Sequence, residues 1–356
     1  MQGMPHKSAR ADKQRMRSPV ISLRILACCA VPLLLVAPAA VSAKAPAGTC
    51  PDLGAPVMTI TAVNYGAKKN PATGSSTDAV KRAQNTAALS RPVAFENTLS
   101  DLTDQAIANP GGGARAGAEG LLVRWASAGA LIETDGKNKW GAQSNKYQEW
   151  LLTNLAISRL KLGRISTPAH TRTVDDWLRR IAQRVEAYNV LRGPERRTNL
   201  FAWGLLGVGV TAHVTGDAAM WKRANAMNEA MLGDIRADGT LPSELSRDNR
   251  AAKYTAFAAE PLAVFALVRN LHDGTIGRPV DPRLQRLLAL VQVISNDAAP
   301  ITKLTGVTQL KVGQQKWLNF FRRTQARAVS TIPYSYQEPR LGGSLRNLSV
   351  VLSGDA

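Results

Sequence analysis

The stretch "LFAWGLLGVGVTAHV", residues 200–214, is apolar almost all the way round at 3.6 residues per turn. A helix without a polar face has to be enclosed on every side, so the chain must build at least two layers around it. The segments flanking it are also helical in period. Candidate helices run over 76–90, 97–109, 115–133, 143–162, 173–188, 196–214, 217–234, 248–271, 282–296 and 314–328, several opening at Thr, Ser or Asp and ending near Gly, Pro or Asn. Strand-like alternation is confined to "VMTITAVNY" (57–65) and "LRNLSVVLS" (345–353). Helices in series with short connections predict an all-α domain of antiparallel helix pairs in two layers. No strict short repeat is visible, which argues against an open solenoid.

The N-terminus reads as an export signal. Lys13, Arg15, Arg17 and Arg24 precede the apolar run "ILACCAVPLLLVAPAAV", and Val41-Ser42-Ala43 has the small-residue pattern of a cleavage site. The expected organisation is a signal peptide (1–43), a Pro/Gly/Ser-rich flexible segment (44–75), a helical domain (76–346) and a C-terminal tail (347–356), with a periodic interruption at Pro261 that should kink or restart its helix. Cleavage would leave Cys50 alone of the three cysteines, so no internal disulfide can form and the core must hold the fold. Past the signal no apolar stretch reads as a bilayer span, so no membrane insertion is expected after cleavage. Localisation is expected to be periplasmic or secreted.

The chain carries a formal charge of +19; residues 1–43 hold six Lys/Arg and one Asp, so +14 would remain after cleavage. Such an excess favours a polyanionic partner, and for an exported protein that means an acidic polysaccharide rather than nucleic acid.

Two stretches can carry chemistry. In "LPSELSRDNRAAKY" (241–254), Arg247 and Tyr254 stand seven residues apart, nearly two turns, which would put both on one face if the segment is helical. The same spacing suits an arginine and a tyrosine that merely cover apolar surface with their polar tips in water. In "RTNLFAWGLL" (197–206), Asn199 can donate to a carboxylate or satisfy the helix end, and Trp203 can be core or can line a sugar channel.

Taken in order, Thr198-Asn199 with Trp203, "DGTLPSELSR" running on to Tyr254, and "RLGG" at Arg340–Gly343 resemble the alginate lyase family of the mannuronate lyase type. "AGAL" (128–131) and "EWLLTNLAISRLKL" (149–162) extend the likeness over roughly residues 120 to 345. The resemblance implies an incomplete α/α toroid with a deep cleft, β-elimination of polyuronates, and no required cofactor or metal. It places the catalytic tyrosine on Tyr254, the catalytic arginine on Arg247, the asparagine on Asn199 and a substrate-binding arginine on Arg340; Trp203 is the candidate cleft aromatic. Two departures stand out. Leu200 occupies the family's histidine position, and the family's lysine has no clear counterpart, Asn64 lying in its place with Lys68 and Lys69 nearby.

Elimination at a 4-linked uronate removes the C5 proton beside a carboxylate and expels the oxygen on C4. Fixed donors must offset the charge that develops, and a base and an acid must reach C5 and O4. A free tyrosine, with a pKa near ~10, needs neighbouring positive charge to serve as the base.

Overall fold

The computed structural model describes residues 52–63, 68–70, 74–76, 79–136, 142–190 and 196–354. The expected signal peptide and Asn64 lie outside them.

The described chain is dominated by helices: α1 Ala79–Ala88, α2 Ser90–Ala108, α3 Ala114–Ser127, α4 Gln143–Leu162, α5 Pro168–Val190, α6 Asn199–Thr215, α7 Ala218–Gly233, α8 Pro242–Leu245, α9 Ala251–His272, α10 Pro282–Asn296, α11 Ala299–Thr305, α12 Lys316–Gln325 and α13 Leu345–Leu352. Strands occur only as short pairs: β1 Thr59–Ile60 beside β4 Glu133–Thr134, β2 Lys68–Asn70 beside β3 Gly74–Ser76, and β5 Gln337–Glu338 beside β6 Gly343–Ser344.

The helix without a polar face is α6, and it is packed by α4, α5, α7 and α9. Its glycines let these neighbours approach closely: a Cβ on Gly209 would stand 2.2 Å from the Phe265 ring of α9. The other inner helix, α9, is long and apolar enough with its preceding turn (Asp248–His272) to cross a membrane, but 78% of its apolar 18-residue window is buried inside the domain, as befits a core helix. Pro261 sits within α9 without ending it; the helix is continuous to His272. Trp125, Trp177, Trp203, Phe95, Phe265 and Phe320 are the largest fully buried side chains, and Phe95 stacks on Trp125 with centroids 4.0 Å apart.

Three expectations need correction. The C-terminal run 345–353 is a helix rather than a strand: Ser344 Oγ accepts from Asn347 N, and Leu345, Leu348 and Leu352 are buried at helical spacing despite the β-branched pair Val350-Val351. The domain therefore runs through Leu352, and residues 347–352 are not a tail. At the other end, residues 52–63 are fixed to the domain instead of loose. Ile60 is fully buried, Leu131 N donates to Val57 O, and Arg124 and Arg91 donate to the carbonyls of Gly54 and Ala55.

Candidate functional site

Arg247 and Tyr254 do come together, but not along one helix. Arg247 caps a 3₁₀ turn, Asp248–Arg250, in which Asp248 adopts φ 51°, and α9 begins only at Ala251. This turn folds the guanidinium over the Tyr254 ring, with Arg247 Cζ 4.6 Å from the ring centroid. Both side chains are half-buried. A cation over the ring stabilises electron density in it, and more so once the hydroxyl has lost its proton.

Asn199 opens α6, but its side chain does not cap the helix. Thr198 is the cap residue and makes no side-chain cap bond. The backbone N–H of Asn199 donates to Glu244 Oε1, and Asn199 Nδ2 donates to the same oxygen at 3.0 Å. Glu244 lies on α8 and is fully buried. Burial pushes its carboxyl up to about 7, against the pull of Asn199 N–H, the Arg247 charge and the Asn199 amide. One acid thus ties the start of α6 to the Arg247 turn.

The turn that delivers this segment is built by Asp238-Gly239-Thr240. Asp238 Oδ1 accepts from Thr240 N at 3.0 Å and Thr240 Oγ1 at 2.7 Å, which holds the Asp238 carboxyl below its ordinary range. Beside it Arg197 pairs with Asp234, Nη2 to Oδ1 at 2.6 Å.

Arg340 is held in a second aromatic environment. Its Cζ lies 5.1 Å from the Phe257 ring, 5.2 Å from Trp150 and 5.9 Å from Trp203, and its Nη1 donates to Glu338 at 3.1 Å. The "RLGG" sequence has a steric reason. Arg340 sits in a 3₁₀ turn between β5 and β6, and Gly343 follows at φ 93° where a Cβ would come 2.5 Å from Asp104 Oδ2. Asp104 in turn accepts from Ser344 N at 2.7 Å and from Lys161 Nζ at 2.7 Å, and Lys161 also reaches Gly342 O. This buried ion pair locks the hairpin onto α2 and α4.

The two groups are linked through α9. Phe257 is one turn beyond Tyr254, and Trp203 is one turn beyond Asn199; their rings are 5.3 Å apart. The direct sugar contact expected of Trp203 does not fit its position, since the ring is fully buried and supports Arg340 and Phe257 from beneath. Leu200 is half-buried and belongs to neither apolar core cluster.

Sequence reasoning missed Glu244, Trp150, Phe257 and Glu260. Glu260 lies on α9 at 5% exposure and lines a cavity of about 240 Å³ together with Phe257, Glu338 and Arg340. Burial drives its carboxyl well above the ordinary range; the nearby Glu338 charge adds to this and Arg340 opposes it. An acid inside the run "AFAAEPLAVFAL" is the signal that could have found it. Among the described residues no cluster of three or more His, Cys, Asp or Glu is arranged to hold a metal ion.

The family model described as alginate lyase matches residues 153–296. A polysaccharide lyase of Stenotrophomonas maltophilia is 31% identical over 230 residues, covering 63% of this chain and 68% of that protein. An alginate lyase of Pseudomonas paraeruginosa is 30% identical over 63% of this chain and 66% of its own length, and one of Pseudomonas aeruginosa is 31% identical over 55% and 56%. The chain therefore spans only about half to two thirds of the length of these curated relatives. Among solved structures, a variant of alginate lyase A1-III complexed with tetrasaccharide superposes with a TM-score of 0.68 at 16% identity, covering 83% of this chain and 85% of that one. The A1-III structure from Sphingomonas species A1 gives 0.63, covering 85% and 88%. These superpositions identify the fold as the α/α toroid type seen in those lyases.

Proposed function

The chain belongs to the alginate lyase family, and on that premise we propose that it is an exported polysaccharide lyase that cleaves 1,4-linked uronate polymers by β-elimination. Polymannuronate is the default substrate, and a glucuronate-containing exopolysaccharide is the close second. Acidic polysaccharide is the partner that the charge of +14 remaining after signal cleavage favours. The periplasmic or secreted location rests on the signal-like residues 1–43.

The observation that carries the reading is the Arg247 guanidinium lying over the Tyr254 ring beside the Asn199–Glu244 pair. In this mechanism Tyr254, as phenolate, takes the C5 proton of the uronate. The C5–H electron pair forms the C4–C5 double bond, the C4–O bond breaks, and the Tyr254 hydroxyl returns a proton to the leaving oxygen. Arg247 stabilises the phenolate, and the Asn199 amide, with the charge of Arg340 farther along, offsets the negative charge building on the substrate carboxylate. One residue serves as base and acid only when the proton and the leaving oxygen share a face of the sugar. Mannuronate and glucuronate meet that condition; guluronate, inverted at C5, does not.

Leu200 supports a second reading, a non-catalytic relative that binds acidic polysaccharide. The family's histidine would be a donor at this position, and leucine offers none. Incubating the purified protein with polymannuronate, polyguluronate and glucuronan while following unsaturated-uronate absorbance decides between them. Product from the first or third, with guluronate blocks left intact, is the expected result. Binding without product establishes the second reading, and equal rates on polyguluronate defeat the same-face mechanism.

A further inference from the structure

Positive charge is spread unevenly along the chain. Residues 298–354 carry eight Lys/Arg against one acid, Glu338, a net of +7; this is half of the +14 expected after signal cleavage, on less than a fifth of the remaining residues. Among the described residues no carboxylate pairs with Lys316, Arg323 or Arg346, whose partners are backbone carbonyls, one amide and tyrosine rings. The same segment holds Tyr334, 67% exposed. Every other aromatic side chain among the described residues is buried or half-buried.

The exposed ring is presented by a braced turn. Tyr336 N donates to Pro333 O at 3.1 Å and Gln337 Nε2 to Tyr334 O at 3.1 Å, while Ile332, fully buried, anchors the turn in the core. Arg346 Nη1 donates to Ser330 O at 3.2 Å and to Ile332 O at 3.3 Å, and Arg323 donates to Thr331 O. The Arg346 guanidinium also lies over the Tyr334 ring, with Cζ 4.0 Å from its centroid. Lys316, Asn319 and Arg323 stand at i, i+3 and i+7 of α12 and so share one of its faces. That face meets the same turn: Lys316 Nζ is 5.7 Å from the Tyr336 ring centroid, Asn319 Nδ2 is 3.5 Å from the Tyr336 hydroxyl, and Arg323 Nε donates to Asn319 Oδ1. Two tyrosines and three cations are thereby joined in one run of contacts.

Such a face suits a ligand that is apolar on one side and anionic at intervals. A tyrosine ring takes the C–H face of a pyranose, and guanidinium and ammonium groups beside it take carboxylates of that sugar unit or its neighbours. Because the turn is already fixed, little freedom is lost when a chain settles on it. We propose that Tyr334, Arg346, Arg323 and Lys316 form an accessory binding surface for a chain of uronate residues, which retains long polymer while the Tyr254 site acts on a few of its units. None of the four residues takes part in the proton transfer described above. The assignment rests on the acidic-polysaccharide reading of the partner and not on the catalytic reading of Tyr254.

The test is calorimetric titration with long polymannuronate and with its tetrasaccharide, in Tyr254→Phe so that ligand is not consumed, and in that variant combined with Tyr334→Ala or Arg346→Gln. Tyr334→Ala should weaken binding of the long polymer about fivefold, as expected for one lost ring contact. Arg346→Gln should weaken it about tenfold and lessen its dependence on salt. The tetrasaccharide, too short to occupy both places, should bind within about twofold of the parent in either case. With Tyr254 intact, Tyr334→Ala should raise KM on the polymer by the same factor as its loss of affinity and leave kcat on the tetrasaccharide unchanged. Unaltered polymer affinity in Tyr334→Ala, or an equal loss on the tetrasaccharide, overturns the surface. If Arg346→Gln fails to fold, Tyr334→Ala decides alone, since its side chain is exposed. Dextran or single-stranded DNA bound as tightly as polymannuronate, and lost in Tyr334→Ala, also overturns the assignment to polyuronate. If no polymer yields unsaturated product, the lyase reading fails, while a loss of affinity confined to long polymer still upholds the surface.

Discussion

Of the arginines that lie on aromatic rings in this molecule, Arg247 and Arg340 are made different by the rings they meet. Arg247 covers Tyr254, whose hydroxyl can give up a proton. Arg340 is surrounded by Phe257, Trp150 and Trp203, none of which can, and it is matched to a carboxylate, Glu338. In the proposed mechanism the same guanidinium–ring contact tunes a proton transfer in one place and holds a fixed positive charge in the other, so that chemistry and substrate retention divide between two ends of one short stretch of α9.

The comparison breaks most directly at Tyr254. Tyr254→Phe keeps the ring under Arg247 and removes only the hydroxyl, so turnover should fall ~10² to 10⁴-fold while the melting temperature stays within a degree or two. A variant that keeps more than about a tenth of wild-type turnover would show that the proton is carried elsewhere. Arg247→Gln is the next largest: loss of the charge over the Tyr254 ring should cost ~10 to 10² in kcat with little change in KM. A loss confined to KM would reduce Arg247 to a binding role.

Arg340→Ala sharpens the other half. With no proton to tune, its loss should appear mostly as KM, about tenfold higher, with a smaller change in kcat. A fall in kcat as large as that of Arg247→Gln would erase the distinction between the two sites.

The smallest effect concerns stability and pH. Glu244 ionises at about 7 in the fold against an ordinary 4.5, so the native state holds its proton more tightly than the unfolded chain. Its contribution is complete below about pH 4.5 and is lost as pH rises to about 7, up to about 3 kcal/mol over that window. Glu244→Gln removes this loss. The melting temperature of the variant should therefore improve relative to wild type between pH 5 and pH 8, and a constant difference across that range would refute the assignment.

How much of this was legible in the sequence depends on which forces act locally. The enclosure of α6 was readable because a helix without a polar face has few places to go. The helical character of 345–352 was not, since Val350 and Val351 favour strand locally while Ser344 and the docking of Leu345, Leu348 and Leu352 decide for helix. The helical segment on which the Arg247–Tyr254 face was made conditional does not form, for a similar reason. The turn at Asp248 takes a left-handed φ that nothing in "SRDNRA" demands, and its result, the guanidinium over Tyr254, is nevertheless the juxtaposition expected. Glu244 and Glu260 escaped because a lone acid in a helix reads as surface charge until its neighbours in space are known.

The lock between Asp104, Lys161 and the Arg340 hairpin also sets an order of assembly. Asp104 Oδ2 meets Ser344 N across 240 residues of sequence, and Asn154 Nδ2 meets Pro339 O across 185. Contacts that close such long loops contribute only after much of the intervening chain is ordered, whereas the Asn199–Glu244 bond spans 45 residues. During synthesis from the N-terminus, the Tyr254 region can mature before residues 337–345 have joined it. On the proposed mechanism the chain acquires its means of moving a proton before its means of gripping a polymer, so the site becomes competent only with the last hairpin.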